Sequence, residues 1–111
     1  MRTTPEGEVK KEIDKLLNRY RPHVWYHKAV VTGMGKPTVD YTGCCLSKYF
    51  AIEAKAPGKE PTKRQAQTLH EMEEAGARTF VIDNADSDEF KALRIWLQIR
   101  VDKFGWKDDV S

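Results

Sequence analysis

The chain has 111 residues, 40% hydrophobic and 32% charged, and its 19 basic and 17 acidic side chains leave a net charge of +2. That length and balance fit one domain over residues 1–111 built on a single core, and the small net charge is by itself no argument for nucleic acid. No apolar run is long enough for a membrane helix and MRTTPEGEVKKE lacks the apolar stretch of a secretory signal, so a cytoplasmic protein with no membrane partner is expected.

TTPEGEVKKEIDKLLNRYRP predicts a helix. Thr4 suits the N-cap and Pro5 the first helical position, while Val9, Ile13, Leu16, Leu17 and Tyr20 repeat at helical spacing and Pro22 marks the exit. VWYHKAVVT (24–32) is rich in β-branched and aromatic residues and predicts a strand, and GMGKPT (33–38) a turn. VDYTGCCL (39–46) predicts a second strand interrupted by Gly43. A turn around Leu46–Lys48 leads to a third, YFAIEAKAP (49–57), and APGKEP (56–61) is a loop.

TKRQAQTLHEMEEAG (62–76) predicts a second helix. Thr62 and Gln65 have the spacing of a capping box, Leu69 and Met72 line the inner face, and Gly76 stands at the C-terminal cap. RTFVID (78–83) predicts a fourth strand. Residues 87–103 predict a third helix with Phe90, Leu93, Leu97, Val101 and Phe104 on one side, followed by a loose tail, GWKDDVS. The order is helix, three strands, helix, strand, helix. Three successive strands suggest an antiparallel meander, and the strand–helix–strand step a parallel crossover, so the fold class is α/β with a mixed four-stranded sheet flanked by helices.

The adjacent Cys44 and Cys45 point to opposite sides of a strand and do not suit a disulfide. His23, His27 and His70 show no zinc-ligand spacing. Both cysteines are expected to be reduced and in or near the core.

Three acids are oddly placed. Glu53 stands two residues before Lys55 in an otherwise apolar strand, Asp40 interrupts the second strand, and Glu6 shares the face of Val9 and Ile13. Singly, each has an ordinary reading: a helix-dipole acid, a strand-end residue, a surface ion pair, and for Gln65 a cap. Together they form an oxygen donor set. Asp40, Glu53 and the backbone carbonyl of Ala54 would hold a hard divalent cation, Glu6 would reach it directly or through water, and Lys55 would steer water or offset charge on a phosphate.

At these residues the sequence resembles the PD-(D/E)XK nuclease superfamily, whose signature is an acid in the second core strand and acid–x–Lys in the third: here Asp40, then Glu53-Ala54-Lys55. More closely it resembles the VRR-NUC family, which includes small stand-alone phage and bacterial proteins. TPEGEVKKEI, GMGKPTVDYTGC, YFAIEAKAPGKEPTKRQ and AGARTFVID carry the likeness, from about residue 4 to residue 83. Val39 stands where the family usually has proline. The resemblance implies a restriction-endonuclease-like core and a catalytic set of Glu6, Asp40, Glu53, Lys55 and Gln65. It further implies Mg²⁺ or Mn²⁺ as cofactor and hydrolysis of DNA phosphodiesters by a homodimer acting on branched DNA such as four-way junctions. Lys28, Lys36, Lys59, Lys63 and Arg64 are then expected phosphate contacts, and the third helix, with Ile95, Trp96 and Ile99, a candidate dimer face. The alternatives are a DNA-binding module that keeps the fold without chemistry, a nuclease for DNA ends or flaps, an RNA substrate, and a protein partner with no nucleic acid.

Overall fold

The computed structural model describes residues 4–29 and 39–105. The predicted turn at 33–38, Lys36, the far end of the first predicted strand and the tail from residue 106 lie outside the described residues.

Helix α1 spans Pro5–Arg19. The Thr4 side chain accepts from the Gly7 amide at 2.9 Å, so one of the open N–H groups at the helix start is satisfied. Val9, Ile13, Leu16 and Leu17 are its buried face. The sheet comprises β1 (Val24–Lys28), β2 (Tyr41–Cys45), β3 (Lys48–Ala54) and β4 (Arg78–Ile82), in spatial order β1-β2-β3-β4. β1–β2 and β2–β3 are antiparallel and β3–β4 is parallel, as the meander-plus-crossover pattern predicts. Helix α2 (Lys63–Glu74) makes the crossover, and α3 (Asp88–Phe104) follows β4. No helix among the described residues is long and apolar enough to cross a membrane.

Alternation along the strands divides the interior into two cores. Tyr41, Cys45, Phe50, Ile52, Ala54, Phe80 and Ile82 pack with the buried faces of α1 and α3. On the other face the buried cluster is much smaller: Val39, Ala51 and Leu69, with Met72 and Val81 beside them. Burying a Leu, Ile or Phe side chain contributes about 1.5–3 kcal/mol, so the first core carries most of the stability.

Several boundaries differ from the sequence reading. β2 begins at Tyr41, and Asp40 lies in the bend before it rather than within the strand. β3 ends at Ala54, although the Lys55 amide still donates to the Ile82 carbonyl at 2.9 Å. Gly43 does not interrupt β2. The strand runs through it because a Cβ there would press into the Trp25 carbonyl oxygen and come within 2.7 Å of Tyr26 Cα. Cys44 is exposed rather than near the core, because the helix on its side of the sheet packs over β4 and β3; Cys45 is buried. Phe104 is likewise exposed, with the Arg100 guanidinium 4.8 Å from its ring centroid, in the last turn of α3.

Candidate active site

The unusual acids meet at one end of the sheet. β3 delivers Glu53 there at its carboxyl end, and the antiparallel register of β2 returns the chain so that Asp40 stands just before Tyr41, the partner of Ile52. Asp40 Oδ2 accepts from the Ala54 amide at 2.8 Å, which fixes its carboxylate beside the Glu53–Ala54 peptide. All three helices start at this end. α1 brings Glu6 and Lys10, α2 brings Gln65, and α3 begins after β4, which is parallel to β3. Helix N-termini carry partial positive charge and favour anions nearby.

Glu53 is 2% exposed, the one charged side chain among the buried described residues. A surface ion pair is therefore ruled out as its role. Its Oε2 accepts from Gln65 Nε2 at 2.8 Å and lies 3.6 Å from Lys55 Nζ. Its Oε1 is buried and, among the described residues, meets no hydrogen-bond partner. An unpaired buried carboxylate oxygen is costly in a fold that needs only stability. Burial, reinforced by the charge of Asp40, pushes the Glu53 carboxyl up to about 7, while Lys55 opposes the rise.

Gln65 performs two tasks at once. Its Oε1 accepts from the Thr62 amide at 2.9 Å, closing the capping box, while its Nε2 holds Glu53. A glutamate at this position would close the same box but face Glu53 with a second carboxylate.

Sequence reasoning missed Lys10. Its Nζ lies 3.3 Å from Glu6 Oε2 and 3.5 Å from Asp40 Oδ1, so Glu6 joins the cluster through Lys10. Burial pushes the Lys10 ammonium down, but Asp40 and Glu6 outweigh it and hold it above its ordinary value. The available signal was the i, i+4 spacing of Glu6 and Lys10 on a face already assigned to the interior.

The expected phosphate contacts divide. Lys59, Lys63 and Arg64 are exposed on the loop and first turn that lead into α2, near Gln65. Lys28 is instead paired with Asp14 at 2.9 Å, and the other oxygen of Asp14 accepts from the Tyr41 hydroxyl at 2.6 Å. Lys28 thereby ties β1 to α1.

Among the described residues, no three His, Cys, Asp or Glu side chains are grouped closely enough to hold a metal, and Glu6 meets Asp40 through Lys10 rather than directly. The smaller set still fits a hard divalent cation. Asp40 and Glu53 would supply carboxylate oxygens, among them the Glu53 Oε1 that has no partner among the described residues, and the Ala54 carbonyl lies in the same segment. Such ions retain several waters, so two carboxylates are a sufficient protein share. Comparison of the chain with models of protein families and with curated proteins finds no match.

Proposed function

We propose that this protein is a metal-dependent DNA endonuclease with a restriction-endonuclease-like core, of the VRR-NUC type within the PD-(D/E)XK superfamily. It hydrolyses phosphodiester bonds in branched DNA such as four-way junctions, acting as a homodimer. The observation that carries this reading is Glu53: a buried carboxyl with one oxygen unpartnered among the described residues, held by Gln65 and flanked by Asp40 and Lys55. The strand order and the meander-then-crossover topology agree with it.

Asp40, Glu53 and the Ala54 carbonyl would hold Mg²⁺ or Mn²⁺. When bound, such an ion acidifies water and offsets charge on the phosphoryl oxygens. The remaining work belongs to the chain. Gln65 fixes the Glu53 carboxylate against rotation through its 2.8 Å hydrogen bond. Lys55, mostly buried and 3.6 Å from Glu53, orients the attacking water or stabilises charge developing on the phosphate. Lys59, Lys63 and Arg64 contact phosphates farther along the backbone, which gives affinity without base readout. A domain this small holds two DNA arms most simply as a two-fold dimer. Ile95 and Ile99, about half exposed on α3, supply an apolar face for it.

The test is a cleavage assay on labelled single strand, duplex, 5′ flap and four-way junction, each with Mg²⁺, Mn²⁺ or EDTA. Metal-dependent cutting of the junction is expected. Lys55→Ala should abolish it while leaving junction binding largely intact. Tight binding with no cutting of any substrate would make the protein a binding module, and cutting by Lys55→Ala at the parent rate would remove Lys55 from the mechanism.

A further inference from the structure

Lys10 has no task in that chemistry, yet it stands among its acids. A lysine four residues after a glutamate on a helix ordinarily forms a local surface pair. Lys10 also reaches out of α1 to the bend before β2, and its side chain is only 33% exposed. At 3.3 and 3.5 Å from Glu6 and Asp40, its ammonium is farther from either than the 2.7–2.9 Å of a strong charge-assisted bond. It sits between the two acids and is shared by both. Asp40 thus has both oxygens engaged, Oδ2 by the Ala54 amide and Oδ1 by Lys10.

We propose that Lys10 is a positioning residue that acts as the resident counter-cation of the acid cluster: it holds Glu6 and Asp40 together in the metal-free protein and releases Asp40 when a divalent cation arrives. The inference rests on the reading of Asp40 and Glu53 as a metal pair. Lys10 keeps Glu6 as its helical neighbour after the exchange.

The exchange changes the sign of the site. Among the described residues of the cluster, with Glu53 ionised, Glu6, Asp40 and Glu53 carry three negative charges against two positive ones on Lys10 and Lys55, a formal −1. A divalent cation makes it +1. A phosphodiester is repelled by the first state and attracted by the second, so metal loading precedes productive approach of DNA, and Lys10 sets the metal concentration at which that happens.

The test combines calorimetric titration of Mg²⁺ into the metal-free protein with thermal melts in EDTA and in Mg²⁺, for the parent, Lys10→Met and Lys10→Arg. Methionine keeps the helix propensity and stem of lysine without its charge. Lys10→Met should bind Mg²⁺ about tenfold more tightly, the effect of removing one nearby like charge in a solvated site. It should melt below the parent in EDTA and recover that deficit in Mg²⁺, and Lys10→Arg should behave as the parent. Unchanged or weaker Mg²⁺ binding by Lys10→Met, or an equal melting deficit in EDTA and in Mg²⁺, would overturn the proposal and leave Lys10 a structural ion pair. Failure of the parent itself to bind Mg²⁺ would refute the metal reading of Asp40 and Glu53, and this inference with it.

Discussion

The two faces of the sheet are built to different rules. Against α1 and α3 lies a broad apolar core in which every buried side chain of the strands is hydrophobic. Against α2 the buried cluster is Val39, Ala51 and Leu69, and beside it a buried acid lacks, among the described residues, a partner for one oxygen. The first face accounts for the fold. The second has the smaller buried cluster among the described residues and carries an electrostatic cost, and it is where the chemistry is proposed to reside. Such a division is physically reasonable: a strained polar constellation persists only where surrounding packing over-determines it.

The sharpest way to break the thick face is Gly43→Val. Its side chain has no room between β1 and β2, so loss of cooperative thermal unfolding is expected, a cost of more than about 4 kcal/mol. Leu17→Ala, at a fully buried position, should cost about 2–5 kcal/mol in a denaturant melt and leave the acid cluster in place.

The thin face should answer in the opposite direction. The folded-state pKa of Glu53, about 7, lies above its ordinary value of 4.5, so the folded state binds the extra proton. The stability this contributes is fully present below about 4.5 and is lost as pH rises through about 7. Glu53→Gln, which cannot ionise, should therefore raise the melting temperature of the metal-free protein at pH 8 and change it little at pH 4.5. Thermal melts at the two pH values check this, and a lower melting temperature at pH 8 would contradict it. A smaller, destabilising effect is expected from Gln65→Glu: the capping box survives, but a second carboxylate faces Glu53, so the melting temperature should fall more at pH 8 than at pH 5.

Much of this contrast was legible in the sequence. Helix caps at Thr4 and Thr62 and the alternation through Phe50, Ile52 and Ala54 depend on local chemistry, which spacing reports directly. The burial of Glu53 is not readable from the strand pattern, because alternation shows which residues share a face and not whether a helix covers it. Cys44 was misplaced for that reason: it lies on the same sheet face as Glu53 but beyond the shelter of α2. The hairpin at Leu46 and Ser47 was located although its positive φ angles, 50° and 76°, fall on residues that give no such signal. Arg100, from α3, donates to the Cys45 and Leu46 carbonyls at 2.9 and 2.8 Å across that turn. Lys10 was overlooked because its link to Asp40 joins residues thirty positions apart through the packing of α1 on the sheet.

Metal binding at Glu53 is tested by Mn²⁺ affinity measured against pH for the parent and for Glu53→Gln. Parent affinity is expected to fall about tenfold per pH unit below pH 7, as a proton competes for Glu53, and to level off above it. Glu53→Gln, still folded, should bind Mn²⁺ far more weakly at every pH. Equal affinity in the two proteins, with the same pH profile, would contradict the claim that the thin face holds a metal on Glu53.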